Sequence, residues 1–355
     1  MNLLDALGIP YPIFQAPMAG VATPALAAAV SNAGGLGGLG LASVTPPQAL
    51  QMIRATQRLT NRPFNVNVFC HEPPTLRRSQ EQQWLNYIAP LFERFSQPRP
   101  TQLNDLYRSF LNDDELLRVL LLTRPRVVSF HFGLPKSQQL ALLQAAGIVT
   151  LASATSVKEA QQIEQAGIDG IVVQGIEAGG HRGVFDPNGP DEALSTFELL
   201  PKIKAHTDLP LIAAGGIMTG AHIHQARQLG ASAAQLGTAF VACPESAANA
   251  TYRAYMRHPA AKTTLTRTLS GRPARGIIND YIRYTERPSA PTPPDYPLPY
   301  DSTKKLQQAV KNHPTQDHSF DCGSYWAGTR VHEARHLPAR QLMQLLTREL
   351  RAASQ

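Results

Sequence analysis

Short apolar runs alternate with amphipathic stretches through the first two-thirds of the chain, a pattern that predicts strand followed by helix many times over. IFQAPMAG (13–20) reads as a short strand entering a loop. TPALAAAVSNAGG follows as a helix, with Thr23 as cap, Pro24 in the first turn and Gly34 at the end. GLGGLGL (35–41) is the next strand, TPPQALQMIRATQRL the next helix with Thr45 as cap and Pro46 in its first turn, and FNVNVF (64–69) a third strand.

From His71 to Pro125 the alternation stops; WLNYIAPLFERF and LNDDELLRVLLL have helical spacing but follow no strand, so an inserted helical cover is expected. It resumes with RVVSFHFG (126–133), IVTLAS (148–153), the Ile171–Val173 run, LPLIAAGGI (209–217) and AAQLGTAF (233–240), each trailed by a helical stretch, the last being PESAANATYRAYMR. Eight such units specify an α/β protein and a (β/α)8 TIM barrel, with an open doubly wound sheet as the alternative. The expected organisation is a barrel over residues 1–260 carrying the insertion 71–125, then a C-terminal extension over 261–355 that covers the active site. In that extension the proline-rich RPSAPTPPDYPLPY (287–300), Lys304, Trp326 and a final amphipathic helix (Leu342, Leu345, Leu346, Leu350) suggest an arm packed over the barrel mouth.

In a barrel, catalytic groups lie just past the C-terminal ends of strands. Met18, Asn67, His131, Gln174, His181, Gly215, Gly216, Gln235, Gly237 and Thr238 all fall there. The stretch GIVVQGIEAGGHRG (170–183) is the densest, with Gly175, Gly179, Gly180 and Gly183 set among Glu177, His181 and Arg182. Turns need fewer glycines than that, so the others let something come close, and amides beside an imidazole and a guanidinium suit an anionic group. His131 alternates with Phe130 and Phe132, which points it to the barrel axis or to the helices; spacing leaves both open.

Composition narrows the classes. The 355 residues are 43% hydrophobic and 17% charged, which is ordinary for a globular protein. The net charge of +7 is dispersed, without the basic stripe that nucleic-acid binding requires. Cys70, Cys243 and Cys322 are isolated and form no CxxC pair, so neither a disulfide framework nor a zinc site is expected and a reducing cytoplasm fits. His222 and His224 diverge on a helix with no carboxylate beside them, which argues surface positions and no metal. Cys243 reads as a buried structural thiol. No apolar run reaches membrane-spanning length.

QAPMAGVATPALAAAVSNAGGLGGLG (15–40), SFHFGLP (129–135), QGIEAGGHRG (174–183) and QLGTAFVACPES (235–246), together with Tyr300, Lys304 and Trp326, resemble the class I nitronate monooxygenases, FMN enzymes also called 2-nitropropane dioxygenases. The resemblance implies FMN across the barrel mouth, touched by Met18, Asn67, Gln174, Gly179, Gly180, Gly215, Gly216, Gln235, Gly237, Thr238, Lys304 and Trp326. It implies His131 as the residue acting on the nitronate, with His181, Tyr107, Tyr252, Tyr296, Tyr300 and Lys304 lining the substrate pocket. The implied reaction oxidises an alkyl nitronate with O2 to a carbonyl compound and nitrite through an anionic flavin semiquinone, a detoxifying activity of a cytoplasmic monomer or homodimer. A pocket of cationic groups and tyrosines suits a nitronate with a second anionic group, such as propionate 3-nitronate. Two other readings stand beside it: an NAD(P)H-dependent FMN reductase of quinones or enoyl thioesters on the same barrel, and a non-catalytic barrel that senses FMN or a phosphorylated metabolite.

Overall fold

Parallel strands buried on both faces must be apolar along nearly their whole length, and Val/Ile/Leu-rich runs here pair in that way. The computed structural model describes residues 3–313 and 320–355. It begins with α1 (Leu3–Leu7), β1 (Ile13–Gln15), α2 (Pro24–Asn32), β2 (Gly37–Gly40), α3 (Pro46–Leu59), β3 (Phe64–Phe69), α4 (Arg78–Arg94) and α5 (Asp114–Thr123). There follow β4 (Val127–His131), α6 (Ser137–Ala145), β5 (Val149–Ala154), α7 (Val157–Gln165), β6 (Gly170–Gln174), a two-residue β7 (Gly180–His181), α8 (Thr196–Lys204), β8 (Leu211–Ala214), α9 (Gly220–Gln228) and β9 (Ala233–Leu236). The chain finishes with α10 (Thr238–Val241), α11 (Ala250–Arg257), β10 (Thr263–Thr266), β11 (Ala274–Ile277), α12 (Asp280–Thr285), α13 (Leu298–Asn312) and α14 (Ala339–Ala353).

Eight parallel strands run in the order β1-β9-β8-β6-β5-β4-β3-β2, and a parallel bridge between Phe14 and Leu36 brings the two ends together, giving the (β/α)8 TIM barrel. Side-chain parity follows from the two-residue strand period. Along β4, Val128 and Phe130 enter the layer between strands and helices, while Val127 packs on the axis with Phe14, Leu151, Val172 and Ile212. Ser129 and His131 share Val127's parity and face the open end of the barrel, which settles the direction of His131. Leu3 and Leu7 of α1 close the opposite end. Helix starts are as expected at Thr23, whose hydroxyl accepts from the Leu26 amide, with Pro24 following.

Three boundaries differ from the sequence reading. The span 71–125 is not all insertion: α5 packs against α3 and α6, so it is the barrel helix that precedes β4, and Leu116, Leu117 and Leu120 belong to the barrel core. Helix α4 does leave the barrel, and it builds a second core with α12 and α13 in which Trp84, Tyr281, Leu298 and Leu306 are fully buried. At the other end, α11 packs with Tyr325, Ala327 and Val331 rather than on the barrel wall. Its place is taken by α14, which lies against α9 and α2 and buries Leu342, Met343, Leu346 and Leu350. The final helix therefore seals the barrel's flank, and the part of the extension over the mouth is the earlier stretch carrying Tyr296, Tyr300, Lys304 and Trp326. The apolar stripe of α14 fits either surface equally, so periodicity alone could not choose between them.

Candidate active site

A cavity of about 1140 Å³ opens at the C-terminal end of the barrel strands. Met18, Asn67, His131, Gln174, Gln235, Gly237 and Thr238 reach it from the strand ends, and Gly179, Gly180, His181, Gly215 and Gly216 from the loops after β6 and β8. Tyr107 comes from the loop after α4, and Tyr252, Tyr296, Tyr300, Lys304 and Trp326 from the C-terminal half. The residues that the resemblance assigns to cofactor or substrate thus border one space, whereas Gly175, Glu177, Arg182 and Gly183 of the same glycine-rich loop do not line it. Tyr252 stands apart from the others: its ring stacks on Tyr325 at 5.1 Å and its hydroxyl donates to the Trp326 carbonyl, so it anchors the arm.

The glycines divide by what they admit. At Gly179 a side chain would strike the backbone of Ala327 and Gly328, so this glycine lets the arm dock. At Gly183 it would strike the His131 ring and the Ser153 Cβ, both at 3.0 Å. Gly237 is different, since only Ala16 Cβ at 3.5 Å and the Met18 sulfur at 3.9 Å come near; its bare face borders the cavity beside Gly215 and Gly216, both at positive φ. Helix α10 starts there with no side-chain cap. This end of the cavity can cradle an anionic group through backbone donors.

The guanidinium of Arg182, expected to face such an anion, is turned inward. It is buried, pairs with Asp191 at 2.8 Å and donates to the carbonyls of Gln174 and Gly175. Glu177 is also engaged, accepting from the Thr196 amide. The loop's charges hold its shape, and its hydrogen bonds continue to the chemistry: Gln174 Oε1 accepts from the Gly183 amide at 2.7 Å and Gln174 Nε2 donates to the His181 carbonyl at 2.9 Å.

That carbonyl fixes a tautomer. His131 Nε2 lies 3.1 Å from it, and a carbonyl only accepts, so the ring proton of neutral His131 is on Nε2. Its Nδ1 then accepts from the Ser153 hydroxyl at 2.9 Å. Both nitrogens of His131 are therefore engaged by the protein. His181 differs: Nε2 meets Ser270 Oγ at 3.0 Å, while Nδ1 has no hydrogen-bond partner among the described residues and is not among the sealed, unpaired atoms. It is open to the cavity that His181 lines.

Aromatic rings enclose both histidines. Phe69 and Phe132 flank His131 at 5.5 and 4.8 Å between centroids; Phe132, Tyr296 and Trp326 flank His181 at 5.4, 5.6 and 5.3 Å. Phe132 sits at φ +72°, a conformation that costs a bulky residue about 1–3 kcal/mol, and the guanidinium of buried Arg272 lies 4.1 Å from its ring centre. Burial pushes His131 down to about 4, against the His181 carbonyl and helped by Arg272 and Arg182. His181 falls well below the usual histidine range, through burial first and then His131, Arg272 and His71. Burial holds the Tyr296 and Tyr300 hydroxyls far above the usual tyrosine range, so they are neutral donors. Lys304 Nζ lies over the Tyr107 ring at 4.7 Å.

Several residues here were not foreseen. Ser153 is the last residue but one of β5, near where the strand-end rule points, but a serine in a small-residue strand carries no further signal. Ser270, Arg272, Phe69 and Phe132 come together only in three dimensions. Elsewhere His222 Nδ1 accepts from the Met218 amide and His224 meets Ser354, and among the described residues no cluster suited to a metal is present. Burial lifts the Cys243 thiol to about 12, which leaves it inert at neutral pH. No helix among the described residues is long and apolar enough to cross a membrane.

A family profile described as nitronate monooxygenase matches residues 1–349. A nitronate monooxygenase of Paraburkholderia phytofirmans is 51% identical over 350 residues, covering 98% of this chain and 94% of its own. Among solved structures, a nitroalkane oxidase from Streptomyces ansochromogenes superposes with a TM-score of 0.89 at 37% identity, covering 100% of this chain and 99% of its own. FabK from Thermotoga maritima is more distant, with a TM-score of 0.72 at 25% identity over 99% of this chain and 96% of that one.

Proposed function

The chain belongs to the nitronate monooxygenase family and oxidises nitronates, and from that premise we propose that FMN is its cofactor, that propionate 3-nitronate is its preferred substrate and that His181 carries the proton chemistry of the site. The observation behind this reading is a single cavity in which a glycine-lined anion cradle, Lys304 and the open Nδ1 of His181 converge. The cavity's dimensions and donors fit FMN: the phosphate would lie against Gly216, Gly237 and Thr238, and Gln174, Gln235, Asn67 and Met18 would border the ring system. Bound flavin supplies the electron acceptor and the reaction with O2.

The protein's own part is to bind, orient and keep the site dry. A nitronate is an anion, and Lys304 with the neutral hydroxyls of Tyr296 and Tyr300 offers it a cation and donors in a low-dielectric pocket. Their aromatic rings, with Phe69, Phe132 and Trp326, displace water from the reacting carbon. His131 is a holding residue in this account: its Nε2–H pins the His181 carbonyl and thereby orients the loop that carries the His181 ring. If a neutral nitroalkane enters, His181 Nδ1 is the imidazole nitrogen placed to take the carbon-bound proton, and burial keeps the ring neutral and so able to accept it.

Lys304→Met tests the substrate assignment. Nitrite release should show KM for propionate 3-nitronate rising about tenfold, with that for an uncharged alkyl nitronate moving far less. Equal effects on both would remove the case for a second anionic group on the substrate.

A further inference from the structure

We propose that Ser270 is a positioning residue that holds His181 as the tautomer with its proton on Nε2, so that Nδ1 presents a bare lone pair to the cavity. Ser270 is fully buried and its hydroxyl has one hydrogen to give. Two acceptors compete for it: the carbonyl of Arg272 at 3.1 Å and His181 Nε2 at 3.0 Å. Giving it to the carbonyl satisfies every group, because His181 Nε2–H then donates to Ser270 Oγ. Giving it to the ring leaves a buried carbonyl unpaired, and this is the costlier error in a site closed to water. The position of Ser270 is itself fixed, since Gly271 at φ +93° closes the turn onto the Arg267 carbonyl and a side chain there would strike the Tyr296 amide at 2.4 Å.

The consequence rests on the role of His181 proposed above. Proton removal from a neutral nitroalkane forms an N–H bond at Nδ1 and breaks the carbon–hydrogen bond, whose electron pair passes into the nitro group; a ring with its proton on Nδ1 cannot accept it. A substrate that arrives as the nitronate does not need this step.

Nitrogen-15 NMR of the histidine-labelled holoenzyme tests the proposal, with the His181 signals identified by their loss in His181→Asn. The expected spectrum has a proton-bearing Nε2 and a bare Nδ1. Ser270→Ala should shift His181 towards a mixture of tautomers, lower kcat for a neutral nitroalkane roughly fivefold, lower nitronate turnover by less than that and leave flavin content unchanged. Ser270→Thr, which keeps the hydroxyl, should restore both readings. A wild-type ring with its proton on Nδ1, or an unchanged ring in Ser270→Ala, would overturn the proposal. The wild-type reading decides the matter if the variant does not fold. Because the tautomer is read without substrate, it stands or falls separately from the reaction assigned to the site.

Discussion

His131 donates through Nε2 to the backbone carbonyl of His181 at 3.1 Å, so the two histidines of the cavity are linked but divide in what they leave free. The first has no nitrogen to offer a substrate without giving up a protein partner. The second keeps Nδ1 open.

The division predicts different fates for two variants. His181→Asn should lower kcat on a neutral nitroalkane by about a hundredfold, the loss typical of removing a general base, while nitronate oxidation falls much less. His131→Asn keeps an N–H for the His181 carbonyl, so its loss should be smaller and similar on both substrates. Steady-state nitrite release on paired nitroalkane and nitronate substrates measures this, and the reverse ranking would return the proton to His131.

Much of this site was legible along the chain because a parallel barrel concentrates function at one end of every strand. Gln174, Gln235 and Asn67 could be placed by counting from strand ends, and the outward face of Phe130 fixes the inward face of His131 once the strand is paired. The direction of Arg182 was not legible, since nothing in AGGHRG reveals that Asp191 would draw the guanidinium away from the cavity. Nor was the seat of α14, because an apolar stripe states that a helix is covered without saying by what. Ser270 and Arg272 lie far along the chain from His181 and His131, and only folding brings the β10–β11 turn to the barrel mouth.

The glycine cradle gives a second prediction. Gly237→Val adds a branched side chain to the cavity face where only Ala16 and Met18 are near, at a negative φ of −101°. The protein should fold with nearly unchanged urea stability and be purified with little or no flavin colour. Full flavin content in this variant would place the cofactor elsewhere.

Acid should weaken the fold through its buried histidines. His71 and His131 are held at about 4 against an ordinary 6.5, chiefly by burial, with His71 also facing Arg272. The unfolded chain therefore binds more protons than the native one between those values. Stability is intact above pH 6.5, declines as pH falls towards 4 and has lost the full contribution below it. Urea midpoints across this range should fall less steeply in His71→Phe, whose ring suits the edge-on contact with Tyr296 at 4.9 Å. An unchanged slope would mean that His71 is not buried as a neutral ring.

The most direct test of the whole account is anaerobic mixing of the purified yellow protein, first with propionate 3-nitronate and separately with NADH, while the visible flavin spectrum is followed. The nitronate should change the spectrum within the time of turnover, and NADH should leave it unchanged. Bleaching by NADH with no response to the nitronate would contradict the account, leaving the barrel and its cavity in place but assigning them to a reductase.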